Sequence, residues 1–105
     1  MNLTTKALAE FIGTFVFLFV ILQSGIYQIS GSPALQPYVI VAGLLVAIFM
    51  FGSVSGGHFN PAVSTMLYLK GDNNVSDLSK LLAYIAVQVL GGAVAWGLHS
   101  KLHSK

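Results

Sequence analysis

Ser55-Gly56-Gly57-His58-Phe59-Asn60-Pro61-Ala62-Val63-Ser64 is the stretch that decides how this chain is read. Asn is a strong helix N-cap, and Pro is preformed for a first helical turn and has no N–H to leave unpaired. The free N–H groups of that turn, with the helix dipole, make a positive end. The apolar segment that follows, residues 61–69, covers about 14 Å at 1.5 Å per residue. That is half of a hydrocarbon core about 30 Å thick. Lys70-Gly71-Asp72-Asn73-Asn74 closes it as a polar loop. A half-length helix entered through a glycine bend reads as a re-entrant segment. Irregular backbone at membrane depth persists only where protein buries it or a wet cavity meets it.

The rest of the chain supplies that membrane. Of 105 residues, 55% are apolar and 8% charged, against about 25% charged in soluble domains. Residues 11–69 contain no Lys, Arg, Asp or Glu, and neither do residues 81–98. A membrane helix needs about 20 mostly apolar residues, so these stretches hold three crossings and the half-helix. Full helices are expected over residues 7–27, 38–54 and 78–98. Thr4 or Thr5 is expected to cap the first, and Ser76 or Asp77 the third. Ser30-Gly31-Ser32-Pro33, with Pro37, is turn chemistry at a membrane surface. The first segment resembles a signal peptide in outline, but Glu10 and its length argue for a retained helix. The expected architecture is an all-α integral membrane domain over residues 1–105, with three transmembrane helices and one re-entrant half-helix.

Small residues recur four apart, at Ala9 and Gly13, Gly43 and Ala47, Gly91 and Ala95, and Ala93 and Gly97. Such pairs let membrane helices approach closely. Gly91-Gly92 is read as packing, because a double glycine weakens a helix interior. The net charge of +2, carried by lysines without arginine, is too small and scattered for a nucleic-acid footprint. The absence of cysteine removes thiolate chemistry and disulfides.

In the loop, the Asn60 amide is a donor for a passing solute, and the carbonyls of Gly56, Gly57, His58 and Phe59 are acceptors. One side donates while the other accepts. His58 is read as a loop brace, with no acid or second His beside it in sequence for a metal or proton role. His99 and His103 share a helix face, but two histidines alone make a poor metal site, and a basic interfacial tail is the expectation. Trp96 and Tyr84 are candidate interface anchors. Asn74-Val75-Ser76 matches a glycosylation acceptor, a pattern common by chance.

The quoted decapeptide resembles the first signature loop of the major intrinsic proteins, the aquaporin and glycerol-facilitator family. Ala9-Glu10-Phe11-Ile12-Gly13-Thr14 is similar to that family's first-helix motif. Tyr84-Ile85-Ala86-Val87-Gln88 with Gly91-Gly92 is similar to its third helix. The resemblance implies half of an inverted-repeat channel fold in the cell membrane. It places Asn60, Pro61, Ala62 and Val63 at a midplane constriction and Gly56 to Phe59 along a carbonyl ladder. It makes Glu10 and Gln88 buried supports of the loop, in keeping with the rule that an acid inside a membrane has a partner. It implies no cofactor and no catalytic residue.

The sequence departs from the family pattern in carrying one such half. There is no second Asn-Pro-Ala and no arginine of the kind that shapes the outer filter. Val63 follows the single motif, and Ile40 aligns where water-selective members carry an aromatic residue. A more apolar filter is expected, for water or a small neutral solute such as glycerol. One half cannot enclose a pore, so the expected partner is a second copy in inverted orientation. By the family's tetramers, four pores need eight copies. Lys6, Lys70 and Lys80 on one side, against Lys101 and Lys105 on the other, give a weak orientation bias, which permits insertion both ways. The alternatives are a non-conducting subunit pairing with a separately encoded half, and an ion channel of parallel copies. The latter is disfavoured by the lack of charge at the midplane. An enzyme is the weakest reading, because Ser53, Ser55 and His58 have no orienting acid nearby in sequence.

Overall fold

The computed structural model describes residues 1–104, and the regular elements among them are all helices. Its helices are α1 (Leu3–Gln23), α2 (Ile26–Ile29), α3 (Gln36–Ser55), α4 (Pro61–Lys70) and α5 (Leu78–Leu102), with 3-10 turns at Pro33–Leu35 and Asn73–Val75. The stretches Leu3–Ile29, Pro33–Ser55 and Leu78–Leu102 are each long and apolar enough to cross a membrane. At about 1.5 Å per residue α4 reaches only about 15 Å.

Local chemistry explains the ends. The first helix begins four residues before the expected position because Asn2, rather than Thr4 or Thr5, caps it; Asn2 Oδ1 accepts from the Thr5 N–H at 2.8 Å. It also ends earlier, at Gln23. Ser24 turns its hydroxyl back onto the Ile21 carbonyl at 2.6 Å, and the chain continues only as the single turn α2. α3 stops at Gly56, which adopts φ 94°, a conformation glycine enters without a Cβ penalty. Asn60 caps α4 through its Oδ1, which accepts from Ala62 N–H at 2.8 Å. Gly71, at φ 92°, ends it. Asp77 caps α5, taking the Lys80 N–H at 2.9 Å and the Ser79 hydroxyl at 2.7 Å. α5 runs four residues past the expected end, to Leu102.

α1 lies between α5 and α3, and α4 packs on α5. The close approaches are made where side chains are missing. A Cβ on Gly91 would stand 2.9 Å from the Phe11 carbonyl oxygen, and one on Gly43 would stand 2.7 Å from Val20 Cγ1. Ala9, Gly13, Ala47 and Ala95 are buried in the same seams. Ala93 and Gly97 are not; both are exposed, and a Cβ on Gly97 would meet nothing within 4 Å. That pair does not serve packing within this chain.

The core is small and polar, while the outside is apolar. Phe49 is 80% exposed and Leu69 78%, with Val41, Val89 and Met66 also on the surface. Glu10, Ser55, Ser64 and Gln88 are buried. A soluble protein reverses this distribution; a multi-pass integral membrane protein requires it, since lipid is the outer solvent.

Candidate functional site

The site grows from one carboxylate. Glu10 sits on the third turn of α1 with no solvent-exposed surface, so it does not face headgroups. Four donors converge on it. Oε2 accepts from Ser55 Oγ at 2.6 Å and from the His58 N–H at 3.1 Å. Oε1 accepts from the Phe59 N–H at 2.8 Å and from Gln88 Nε2 at 2.9 Å. An ionised carboxylate is an acceptor-only group with about four lone-pair sites, and each is matched here. A buried carboxylate is tolerated only when its hydrogen bonds are supplied in this way.

A second layer fixes the donors. Gln88 also donates from Nε2 to Ser64 Oγ at 2.8 Å, and Ser64 Oγ lies 2.8 Å from His58 Nδ1. Because Glu10 can only accept, the Gln88 amide must present its NH2 to both partners. Ser64 Oγ therefore accepts from Gln88 and shares a hydrogen bond with His58 Nδ1, whose donor is set by the imidazole tautomer. The Tyr84 hydroxyl donates to the Ser55 carbonyl at 2.6 Å, and its ring packs 5.0 Å from that of His58. Tyr84 has no exposed surface. It is thus no interface anchor, whereas Trp96 is 59% exposed.

The backbone takes rare conformations to meet this scaffold. Gly57 adopts φ 64°, and Phe59 adopts φ 54°, the only described non-glycine residue with positive φ. Such a conformation in a non-glycine residue costs on the order of 1–3 kcal/mol. The Phe59 N–H bond to Glu10 and the burial of its ring hold it there. That ring occupies the space above Gly13, where a Cβ would stand 2.1 Å from Phe59 Cε1. Gly56 faces the 3-10 turn, and a Cβ on it would stand 2.8 Å from Asn74 Nδ2. Asn74 is half-buried against the loop, a poor setting for a glycan acceptor.

Peptide planarity then sets where the carbonyls go. A trans peptide holds its N–H and C=O on opposite sides, and no cis bond occurs among the described residues. The N–H groups of His58 and Phe59 point inward to Glu10. The carbonyls of Gly57 and His58, in the same peptide planes, therefore point away from it. Among the described residues no hydrogen bond reaches the carbonyl oxygens of Gly56, Gly57 or His58. Asn60 follows immediately and is exposed; with Oδ1 spent on the cap, its NH2 is the remaining donor.

The expected residues separate into three groups. Glu10, Gln88, His58 and Phe59 meet in the buried network, the last two by side chain as well as backbone. Gly56, Asn60 and Ala62 lie along the accessible face, with Gly57, Pro61 and Val63 half-buried beside them. Ile40 is not brought to the loop. It stands near the opposite end of α3, about 24 Å along the helix from Gly56. Sequence reasoning assigned no support role to Tyr84 or Ser64. Both were visible as polar residues inside apolar runs, but what each bonds depends on contacts across the fold. Among the described residues no group of three or more His, Cys, Asp or Glu is placed to hold a metal.

Comparison with known proteins gives the family. The family model described as Major intrinsic protein matches residues 1–105. A glycerol uptake facilitator protein-like 6 from Lactiplantibacillus plantarum is 35% identical over 90 residues, covering 86% of this chain and 40% of that protein. A probable aquaporin TIP-type from Medicago truncatula is 37% identical over 105 residues, covering 90% and 41%. Aquaporin-5 from Mus musculus is 33% identical over 92 residues, covering 86% and 34%. The chain thus spans about 40% of the length of the first two. No solved structure matches it significantly. A loop braced by Glu10 and Gln88, an Asn60-capped half-length helix, three apolar crossings and a family match along the whole sequence lead to one assignment: this chain belongs to the major intrinsic protein family.

Proposed function

We propose that the chain is one half of a membrane channel, and that a second copy in inverted orientation completes a pore for water or small neutral solutes such as glycerol. The observation that carries this reading is the Glu10 clamp. By taking the His58 and Phe59 N–H groups inward, it leaves the Gly57 and His58 carbonyls as unpaired acceptors beside the Asn60 NH2 donor. Unpaired backbone groups at membrane depth cost several kcal/mol each unless they line a wet path. A solute crossing there trades its hydration for a row of acceptors and then a donor, at the positive end of α4. That end disfavours cations, and the described loop has no charged group with which to bind an ion.

α4 covers about 15 Å, and an inverted copy supplies a second α4 for the other half of the membrane. The apolar faces of α3 and α4, including Phe49 and Met66, are then shared between lipid and partner. Four such pairs follow the tetrameric habit of the family. An enzyme is disfavoured, since Ser55 gives its proton to Glu10 while the His58 ring is engaged by Ser64. Neither residue therefore combines an activated nucleophile with access to substrate.

The test is osmotic shrinkage of liposomes carrying only this chain, beside its Asn60→Asp variant. Asp keeps the cap oxygen but replaces the NH2 donor with negative charge. Fast shrinkage with low activation energy, lost in the variant, is expected. Folded protein that leaves shrinkage at the rate of empty liposomes, for water and glycerol alike, refutes self-pairing and points to a separate second half.

A further inference from the structure

Away from the loop, the far ends of α1 and α5 bring together three side chains that the pore does not use. His99 and His103 lie four apart on α5 and its C-cap, so they share one face, with ring centroids 4.3 Å apart. Gln23, at the end of α1, meets both. Its Oε1 lies 2.7 Å from His99 Nδ1 and 3.2 Å from His103 Nε2. Two imidazole nitrogens from successive turns thus converge on one atom.

The amide can face this pair either way. With Oε1 inward, both rings donate. Turned end for end, its NH2 donates to two imidazole lone pairs. In the second arrangement two lone pairs converge on one point, as a chelated cation requires. We propose that Gln23, His99 and His103 form a site for a borderline transition-metal cation such as Zn2+, Ni2+ or Cu2+. The inference is independent of the pore.

The chemistry selects that class. Imidazole suits zinc, copper and nickel, whereas calcium and magnesium need several oxygen ligands. No acid lines the adjoining cavity of about 720 Å3, which Ser24, Tyr27, His99 and His103 help to form. The cavity admits the ion and leaves space for water at its remaining positions. An ion held at about 2.0–2.1 Å by both ring nitrogens takes the place of the Gln23 amide atom between them, so the amide swings aside. Swung aside, the Gln23 amide turns its carbonyl back to the ion as a third ligand, which ties the last turn of α5 to the end of α1. Sequence alone showed two histidines; Gln23, 76 residues from His99, joins them only in the fold.

Trp96, the single tryptophan of the chain, packs 5.9 Å from His99 and reports on the site. The experiment titrates the untagged chain in detergent micelles with Ni2+ or Cu2+ and follows Trp96 fluorescence. Expected is a saturating quench at one ion per chain, reversed by chelator. The His99→Gln and His103→Gln variants should need about tenfold more metal or beyond, since losing even a supporting group costs about 10–100-fold in affinity. A linear, unsaturable quench, or an unchanged curve in the double variant, overturns the site. Histidine ring resonances of the unaltered chain give an answer that needs no variant. Substoichiometric Ni2+ should broaden His99 and His103 and spare buried His58. Equal broadening of all three overturns the site as well.

Discussion

The Tyr84 hydroxyl donates to the Ser55 carbonyl oxygen across 2.6 Å, and both residues are fully buried. This bond joins the early part of α5 to the last residue of α3, so the carbonyl at the mouth of the loop is held by a residue 29 positions away. Removing the hydroxyl leaves a buried acceptor unpaired, at a cost of about 1–3 kcal/mol. Tyr84→Phe should therefore lower the thermal stability of the chain in detergent by that order while keeping its helix content by circular dichroism. Unchanged melting would show that the bond is dispensable.

Glu10→Gln replaces two acceptor atoms with one acceptor and one NH2 donor. Whichever way the amide turns, two of the donors from Ser55, His58, Phe59 and Gln88 lose their acceptor. At about 1–3 kcal/mol for each buried group left unpaired, the loss should exceed that of Tyr84→Phe. Denaturant titration of both variants checks the order. A Glu10→Gln chain as stable as the parent would mean that these four hydrogen bonds add nothing to stability.

Gly13→Ala places a methyl where the Phe59 ring lies, 2.1 Å from Cε1. Overpacking of this kind costs about 1–3 kcal/mol. Phe59→Ala removes the obstacle, so the double variant should be less destabilised than the sum of the singles. A double-mutant cycle should return a coupling of about 0.5–3 kcal/mol; additivity would place Phe59 elsewhere.

Two glycines on one helix should respond oppositely. Gly91→Ala drives a methyl to 2.9 Å from the Phe11 carbonyl oxygen and should separate α1 from α5. Gly97→Ala meets open space and should be neutral or gain up to about 1 kcal/mol from better helix propensity. Thermal melting of the two variants side by side decides this. A loss at Gly97 would reveal a partner helix on that face.

Asp77 titrates below the ordinary carboxylate range, because the Ser79 hydroxyl and then the Lys80 N–H stabilise its charged form. A folded-state pKa below the unfolded one contributes stability above the unfolded value, and this is lost as pH falls through the folded value. Asp77→Ala should therefore weaken the chain at neutral pH, with the difference from the parent shrinking in acid. Melting at neutral and strongly acidic pH measures it; a difference that grows in acid would reverse the sign.

Charge distribution and local caps determined much of this protein before any fold was seen. Charge-free runs set three crossings, since a lysine or acid inside lipid is costly. Asn60-Pro61 set the start of the half-length helix, because capping and proline geometry are local. Local signals also misplaced ends. Asn2 outcompeted Thr4 and Thr5 as a cap, and Ser24 broke a helix whose hydrophobicity continues to residue 29. What only the tertiary structure decided is the partner of each polar residue inside the membrane. Glu10 and Gln88 were legible as buried, but the donors that meet Glu10, the burial of Tyr84 and the bond from Gln88 to Ser64 rest on contacts 24 to 78 positions apart. The same holds for Gln23 and the two histidines. Sequence periodicity tells which face a residue occupies. Hydrogen-bond direction depends on which helix stands opposite and at what height, and that is set only when a glycine such as Gly91 brings the backbones together.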